Sequence, residues 1–149
     1  MNAMTQEKIA NITIHDISEG DQYRFEEEIS AESVEKYAAL SGDHSPLHED
    51  SAFAQTRGFD DKVVHGAFLL ALVSKLIGMH LPGENALIQS INAQFLLPAY
   101  VNDTLCVKAE VDQISAATNS MVLKATIENK KTGAVLVRSK IMVGFTNKK

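Results

Sequence analysis

Hydrophobic positions change their period partway along the chain. From Ala86 onward the period is two. Leu87, Ile91 and Phe95 alternate with polar positions such as Gln89, and Leu105, Val107, Ala109 and Val111 alternate in a second run. In a third run Met121, Leu123, Ala125 and Ile127 face one way, opposite Lys124, Thr126 and Glu128. Lys130–Gly133 reads as a turn, and Val135, Val137, Ile141, Val143 and Phe145 predict a last long strand. Short turns between such runs make an antiparallel meander.

Upstream, the pattern is mixed. Gln22–Ile29 alternates Tyr23, Phe25 and Ile29 with polar neighbours, a half-exposed strand whose alternation Glu27 breaks. Ser30 is a good N-cap, Glu32 and Glu35 suit the positive helix end, and Val34, Tyr37 and Ala38 share a face. That helix should stop near Ser41–Gly42, where glycine tolerates a left-handed exit. Asp43–His48 contains Pro46 and reads as a tight loop, with a short helix at Ser51–Thr56. A longer helix is predicted at Gly66–Met79. Its residues Phe68, Leu69, Leu70, Leu72, Val73, Leu76 and Ile77 make it apolar nearly all round, so it needs a wrapper. One buried helix with an antiparallel sheet curled around it is an α+β arrangement. No repeat or linker interrupts residues 1–149, which read as one domain; Met1–Asn2–Ala3–Met4 are set aside from the fold.

Composition narrows the function classes. A formal charge of −5 with scattered basic residues argues against a nucleic-acid surface. Lys148–Lys149 reads as a solvated tail. The apolar stretch Val63–Leu81 contains His65, Ser74, Lys75 and His80 and closes at Pro82–Gly83, which suits a core helix better than a membrane span. No charged leader precedes an apolar run, so a cytoplasmic location is expected. A single cysteine, Cys106, lies in the strand-like run Leu105–Val111; it forms no internal disulfide and reads as a small buried hydrophobe.

The segment Tyr37–His48, YAALSGDHSPLH, carries the candidate chemistry. Asp43 and His48 are five residues apart across a proline-stiffened loop, which can turn both side chains toward one point. A carboxylate and an imidazole converging on one water can orient it, take its proton and return a proton elsewhere. The spacing alone leaves a second reading open, in which Asp43 caps the following segment and His48 is a hydrogen-bonded loop residue.

The wider segment resembles the signature of the MaoC-like, (R)-specific enoyl-CoA hydratase family, approximately Tyr/Phe…Ser-Gly-Asp-x-Asn-Pro-Leu-His…Ala. Tyr37, Ser41, Gly42, Asp43, Pro46, Leu47, His48 and Phe53–Ala54 stand in matching places. Val63–Ser74, VVHGAFLLALVS, looks like the family's His-Gly start of the central helix, and Asn92–Pro98, NAQFLLP, like its Phe-…-Pro strand on the acyl side. The likeness spans roughly Ile29–Val111. It implies a hot-dog fold and a hydratase/dehydratase interconverting trans-2-enoyl and (R)-3-hydroxyacyl thioesters carried on coenzyme A or acyl carrier protein. Asp43 and His48 are then the catalytic pair, and Gly66 offers its backbone N–H to the thioester carbonyl. A helix N-terminus suits that role, since its N–H groups are unpaired and its dipole end is positive. Ser74 corresponds to a supporting serine. A homodimer, with the acyl site along the subunit interface, is implied as well.

Two positions depart from the pattern. Ser45 replaces the family asparagine, and Ser51 replaces a proline after the second acid. Serine can brace the loop, but it has fewer donors and acceptors and a shorter reach.

Of the other histidines, His44 reads as an exposed loop residue, His65 as a hydrogen bonder at the start of the helix, and His80 as a favourable group at its C-terminal end. Asp43, His44, His48 and His65 lack any recognised metal-ligand spacing, and neither a metal nor a cofactor is expected. Two rival functions remain: a hot-dog thioesterase, and a non-catalytic acyl-thioester binding subunit. The first would more often rely on a carboxylate from the long helix, and Gly66–Met79 contains none.

Overall fold

The computed structural model describes residues 7–146, so Met1–Met4 and Lys148–Lys149 lie outside the described residues. Five strands form one sheet: β1 (Gln22–Glu28), β2 (Ala86–Phe95), β3 (Thr104–Ser115), β4 (Ser120–Asn129) and β5 (Val135–Phe145). Their order is β1-β3-β4-β5-β2 and every pairing is antiparallel. Four helices accompany them: α1 (Ala31–Ser41), α2 (Pro46–Glu49), α3 (Ser51–Thr56) and α4 (Gly66–Met79).

Alternation sends one face of each strand to the helix. Val107, Ala109 and Val111 of β3, Leu123, Ala125 and Ile127 of β4, and Val137, Ile141 and Val143 of β5 are all buried. Against them α4 places Leu69, Leu72, Val73, Leu76 and Ile77. The wrapping is one-sided. Ala67, Ala71, Ser74 and Gly78 recur at helical spacing on the opposite side and are exposed, so the helix is less fully enclosed than its apolarity predicts. On β1, Glu27 pairs in register with Leu105 and therefore points inward, where Lys75 of α4 approaches it at 3.6 Å. That cation is why a carboxylate is tolerated on the inner face. Cys106 is buried and unpaired, as its strand context predicts.

The β2 alternation needs correction. Its register with β5 jumps between Ile88 and Ser90, leaving Gln89 as an extra residue. A bulge of this kind flips the facing of everything beyond it. Ala86 and Ile88 share the inner parity with Phe145 and Val143, whereas Ile91, Ala93 and Phe95 take it after the bulge, opposite Ile141, Ser139 and Val137. Leu87, opposite Gly144, therefore lies on the outer face instead of sharing one with Ile91 and Phe95.

The segments that position the site follow local rules closely. Ser30 Oγ accepts from Ser33 N at 3.1 Å to cap α1. Gly42 ends α1 with φ 74°, donating its N–H to Ala38 O. Asp50 caps α3 by accepting from Phe53 N at 3.0 Å. The stretch expected as pure loop contains one helical turn, α2, because Pro46 stands at its first position, where its missing N–H costs nothing. Among the described residues no helix is long and apolar enough to cross a membrane.

Candidate active site

The left-handed exit at Gly42 turns the chain back across the start of α4. Within the turn, Asp43 Oδ1 accepts from Ser45 N at 3.1 Å, and Asp43 N donates to Ser41 Oγ at 3.1 Å. Ser45 thus braces the loop with its backbone: its N–H holds Asp43 and its carbonyl accepts from His48 N at 2.9 Å, while its hydroxyl makes no capping bond. Asp43 holds the turn ahead of the following helical segment, whose N-cap is Ser45, and its other oxygen, Oδ2, lies 3.7 Å from His48 Nε2.

His48 Nδ1 lies 2.6 Å from the Val63 carbonyl oxygen. A carbonyl only accepts, so Nδ1 carries a proton, and in the neutral ring it is the Nε2 lone pair that faces Asp43. At 3.7 Å the two groups are too far apart for a direct hydrogen bond but well placed to hold one small oxygen between them. His48 is mostly buried, at 14% side-chain exposure, whereas Asp43 is 52% exposed. The imidazole is fixed, and the carboxylate faces the open side.

Beneath His48 lies His65, fully buried and stacked on it with ring centroids 3.9 Å apart and planes at 26°. Its Nε2 donates to the Asp43 carbonyl at 2.9 Å. The expected hydrogen bond at the helix start is therefore real, but it reaches back 22 residues to the loop instead of capping α4. Tyr37 meets His65 edge-on at 5.0 Å. The next residue, Gly66, opens α4, and no acceptor takes its N–H among the described residues. A Cβ at Gly66 would sit 3.1 Å from the Phe95 ring, so glycine is what lets β2 close over the helix start.

His48 stands between two clefts. One, of about 300 Å³, is lined by His48, Gly66, Leu69, Phe95, Leu97 and Ala99 and is largely apolar. The other, of about 210 Å³, lies against α1 at Val34 and Ala38, with Glu35 and Lys62 at its edge. Nearby, Asp61 accepts from Ser51 Oγ and from Lys62 N, and these bonds hold its carboxyl below the usual aspartate range.

Two candidates lie elsewhere. Ser74 is exposed on α4, eight residues beyond Gly66 and so roughly 12 Å along the axis; within this chain it does not reach the pair. His44 is exposed and pairs with Glu49 at 2.7 Å. Asp43, His48 and His65 do bring potential ligand atoms within 4.8 Å of one another. However, two stacked rings aim their in-plane lone pairs side by side, and one nitrogen of each is already bonded to a carbonyl. Sequence reasoning missed Val63 and the depth of His65's involvement. Val63 acts through its backbone, which leaves no side-chain signal.

An antiparallel sheet curled around a central helix is the hot-dog architecture, and in this chain an acid–histidine pair stands at the helix start. The chain belongs to the MaoC like domain family, which matches residues 15–133. It is 39% identical over 92 residues to the (R)-specific enoyl-CoA hydratase of Aeromonas caviae, covering 62% of this chain and 69% of that one. It is 30% identical over 105 residues to a mitochondrial 3-hydroxyacyl-[acyl-carrier-protein] dehydratase of Arabidopsis thaliana, covering 70% of this chain but only 62% of the relative's length. The solved (R)-hydratase of A. caviae superimposes with a TM-score of 0.81 at 33% identity, over 86% of this chain and 96% of that one.

Proposed function

We propose that the protein is a hydratase/dehydratase that interconverts trans-2-enoyl and (R)-3-hydroxyacyl thioesters carried on coenzyme A or acyl carrier protein. The observation that supports this most is the His48 tautomer: its Nδ1–H is committed to Val63, so its Nε2 lone pair is turned toward Asp43 beside the Gly66 N–H. In the hydration direction, Asp43 and Nε2 hold a water between them. Nε2 takes its proton as the oxygen attacks the β-carbon, and the pair returns a proton to the α-carbon. The Gly66 N–H, at the positive end of α4, meets the enolate oxygen as charge develops there. The apolar cleft at Leu69, Phe95 and Leu97 takes substrate carbon.

The names of the relatives point the same way. The thioesterase alternative lacks a carboxylate on α4, since Gly66–Met79 contains no Asp or Glu. The test is to follow enoyl absorbance and free thiol together with crotonyl-CoA. Loss of absorbance without thiol release is expected; thiol release with the double bond intact overturns the reading.

The working form in this reading is a homodimer in the cytoplasm. Support for the dimer is the edge strand β2, which leaves Ile91 and Phe95 exposed on its inner face near Leu96 and Leu97, with Leu87 and Met142 of β5 exposed on the outer face. The cytoplasmic location is supported by the single, unpaired cysteine. Sedimentation at micromolar concentration should give twice the chain mass.

A further inference from the structure

We propose that His65 is a positioning residue that locks Asp43, His48 and Gly66 into one unit, and that it contributes to turnover without touching substrate. This rests on the hydratase reading above. Three observations converge on the same side chain. Its Nε2–H donates to the backbone carbonyl of Asp43 at 2.9 Å, which fixes the loop that carries the carboxylate. Its ring lies flat against His48 at 3.9 Å and 26°, which fixes the plane in which the His48 lone pair points. It is also the residue immediately before Gly66, so its backbone sets where the helix-opening N–H stands.

Ordinary packing does not require this choice. His65 is only 1% exposed, and its Nδ1 is buried with no hydrogen-bond partner. A buried unsatisfied nitrogen is unfavourable, and an apolar ring of similar size would avoid it. The histidine is explained by what its other nitrogen holds. Imidazole is a flat ring that can stack on one neighbour while donating in-plane to another, and the site uses both properties at once. Tyr37 closes the remaining side, edge-on at 5.0 Å, so the ring has one orientation.

Two substitutions separate the two properties. His65→Phe keeps a stackable ring and loses the donor; His65→Gln keeps a donor near the reach of Nε2 and loses the ring. Because displacing a reacting group by about an ångström can cost roughly 100-fold, His65→Phe should lower kcat for crotonyl-CoA hydration about that much. KM should stay within about threefold, the pattern of a loss felt mainly in the transition state. His65→Gln should recover about tenfold of the lost rate by holding the Asp43 carbonyl again. The imidazole nitrogen resonances of His48 supply a readout that packing alone does not move. In the wild-type protein the neutral rings should appear as Nδ1–H for His48 and Nε2–H for His65, and the His48 resonances should shift in both variants.

Folded variants with wild-type kcat overturn the proposal. So do equal rate losses that track melting temperature with the His48 resonances unmoved. If His65→Phe does not fold, the wild-type tautomers and His65→Gln still decide it, and His65 found as Nδ1–H overturns it. If the wild-type protein does not hydrate enoyl thioesters, the functional reading fails, while the His48 resonances still report whether His65 positions that ring.

Discussion

The two ends of α4 each carry a buried histidine stacked on another ring, yet they are built for different purposes. At the N-terminal end His65 lies on His48, and both bond to backbone carbonyls of other segments. The surrounding groups open onto clefts, and the Gly66 N–H is left without a protein acceptor among the described residues. At the C-terminal end His80 lies on Tyr23 at 4.3 Å and 12°, with Phe25 at 6.0 Å. Its Nε2 is 3.1 Å from Glu7, and Lys75 and Glu27 complete a mutually compensating cluster. Stacked histidine is thus no mark of a reactive site in itself. The difference lies in the surroundings: one stacked pair opens onto two clefts, while the other is packed against Tyr23 and Phe25 with the Glu7 carboxylate beside it.

That contrast can be broken most directly at the proposed catalytic pair. Asp43→Asn or His48→Ala should lower kcat about 100- to 10,000-fold, the range of general acid–base catalysis, with melting temperature little changed. Near-normal hydration by either would remove the distinction. At the other end, His80→Ala should do the reverse, lowering unfolding free energy by about 2 kcal/mol through lost ring packing while leaving kcat intact; denaturant titration beside a rate assay checks both halves. Gly66→Ala should cost about tenfold in kcat/KM, a fraction of the loss expected for an ångström of misplacement, because the new Cβ presses on Phe95. Trimming Phe95 in the same chain should return part of it.

A smaller effect is expected from Asp61, whose lowered carboxyl range stems from Ser51 and the Lys62 N–H. With the folded value below the unfolded one, its contribution is present above the ordinary aspartate pKa and is lost as pH falls through the depressed value. Melting curves of wild type and Asp61→Asn should therefore converge in acid. Smallest of all, Ser74→Ala should change kcat by no more than about twofold, as for an exposed position without partners.

How much of this was legible in the chain differs by element. The bounds of α4 follow from apolar spacing, and the start of α3 from a cap, Asp50, that acts within three residues. Asp43 and His48 are also brought together as expected, because Gly42 and Pro46 constrain the loop locally. Four features were not legible. The α2 turn is too short to leave a period. The facing of Leu87 depends on a bulge defined only by pairing with β5. Ser74 was placed by likeness alone, and no local rule links it to the loop. The anchoring of His48 on Val63 O and of His65 on Asp43 O joins residues 15 and 22 positions apart through backbone atoms that no side-chain pattern encodes.

The bulge at Gln89 has a consequence for how the cleft is specified. Phe95 stands an odd number of positions after Ile88, so it overlies Gly66 only because the bulge takes Gln89 out of the alternation. Were Gln89 paired as a regular strand residue, Ile91, Ala93 and Phe95 would fall on the far side of the sheet; because it is left out of the ladder, they face the helix. The wall of the site is therefore written partly in arithmetic. A residue that is not itself part of the cleft wall thus decides, by standing outside the ladder, which side chains form it.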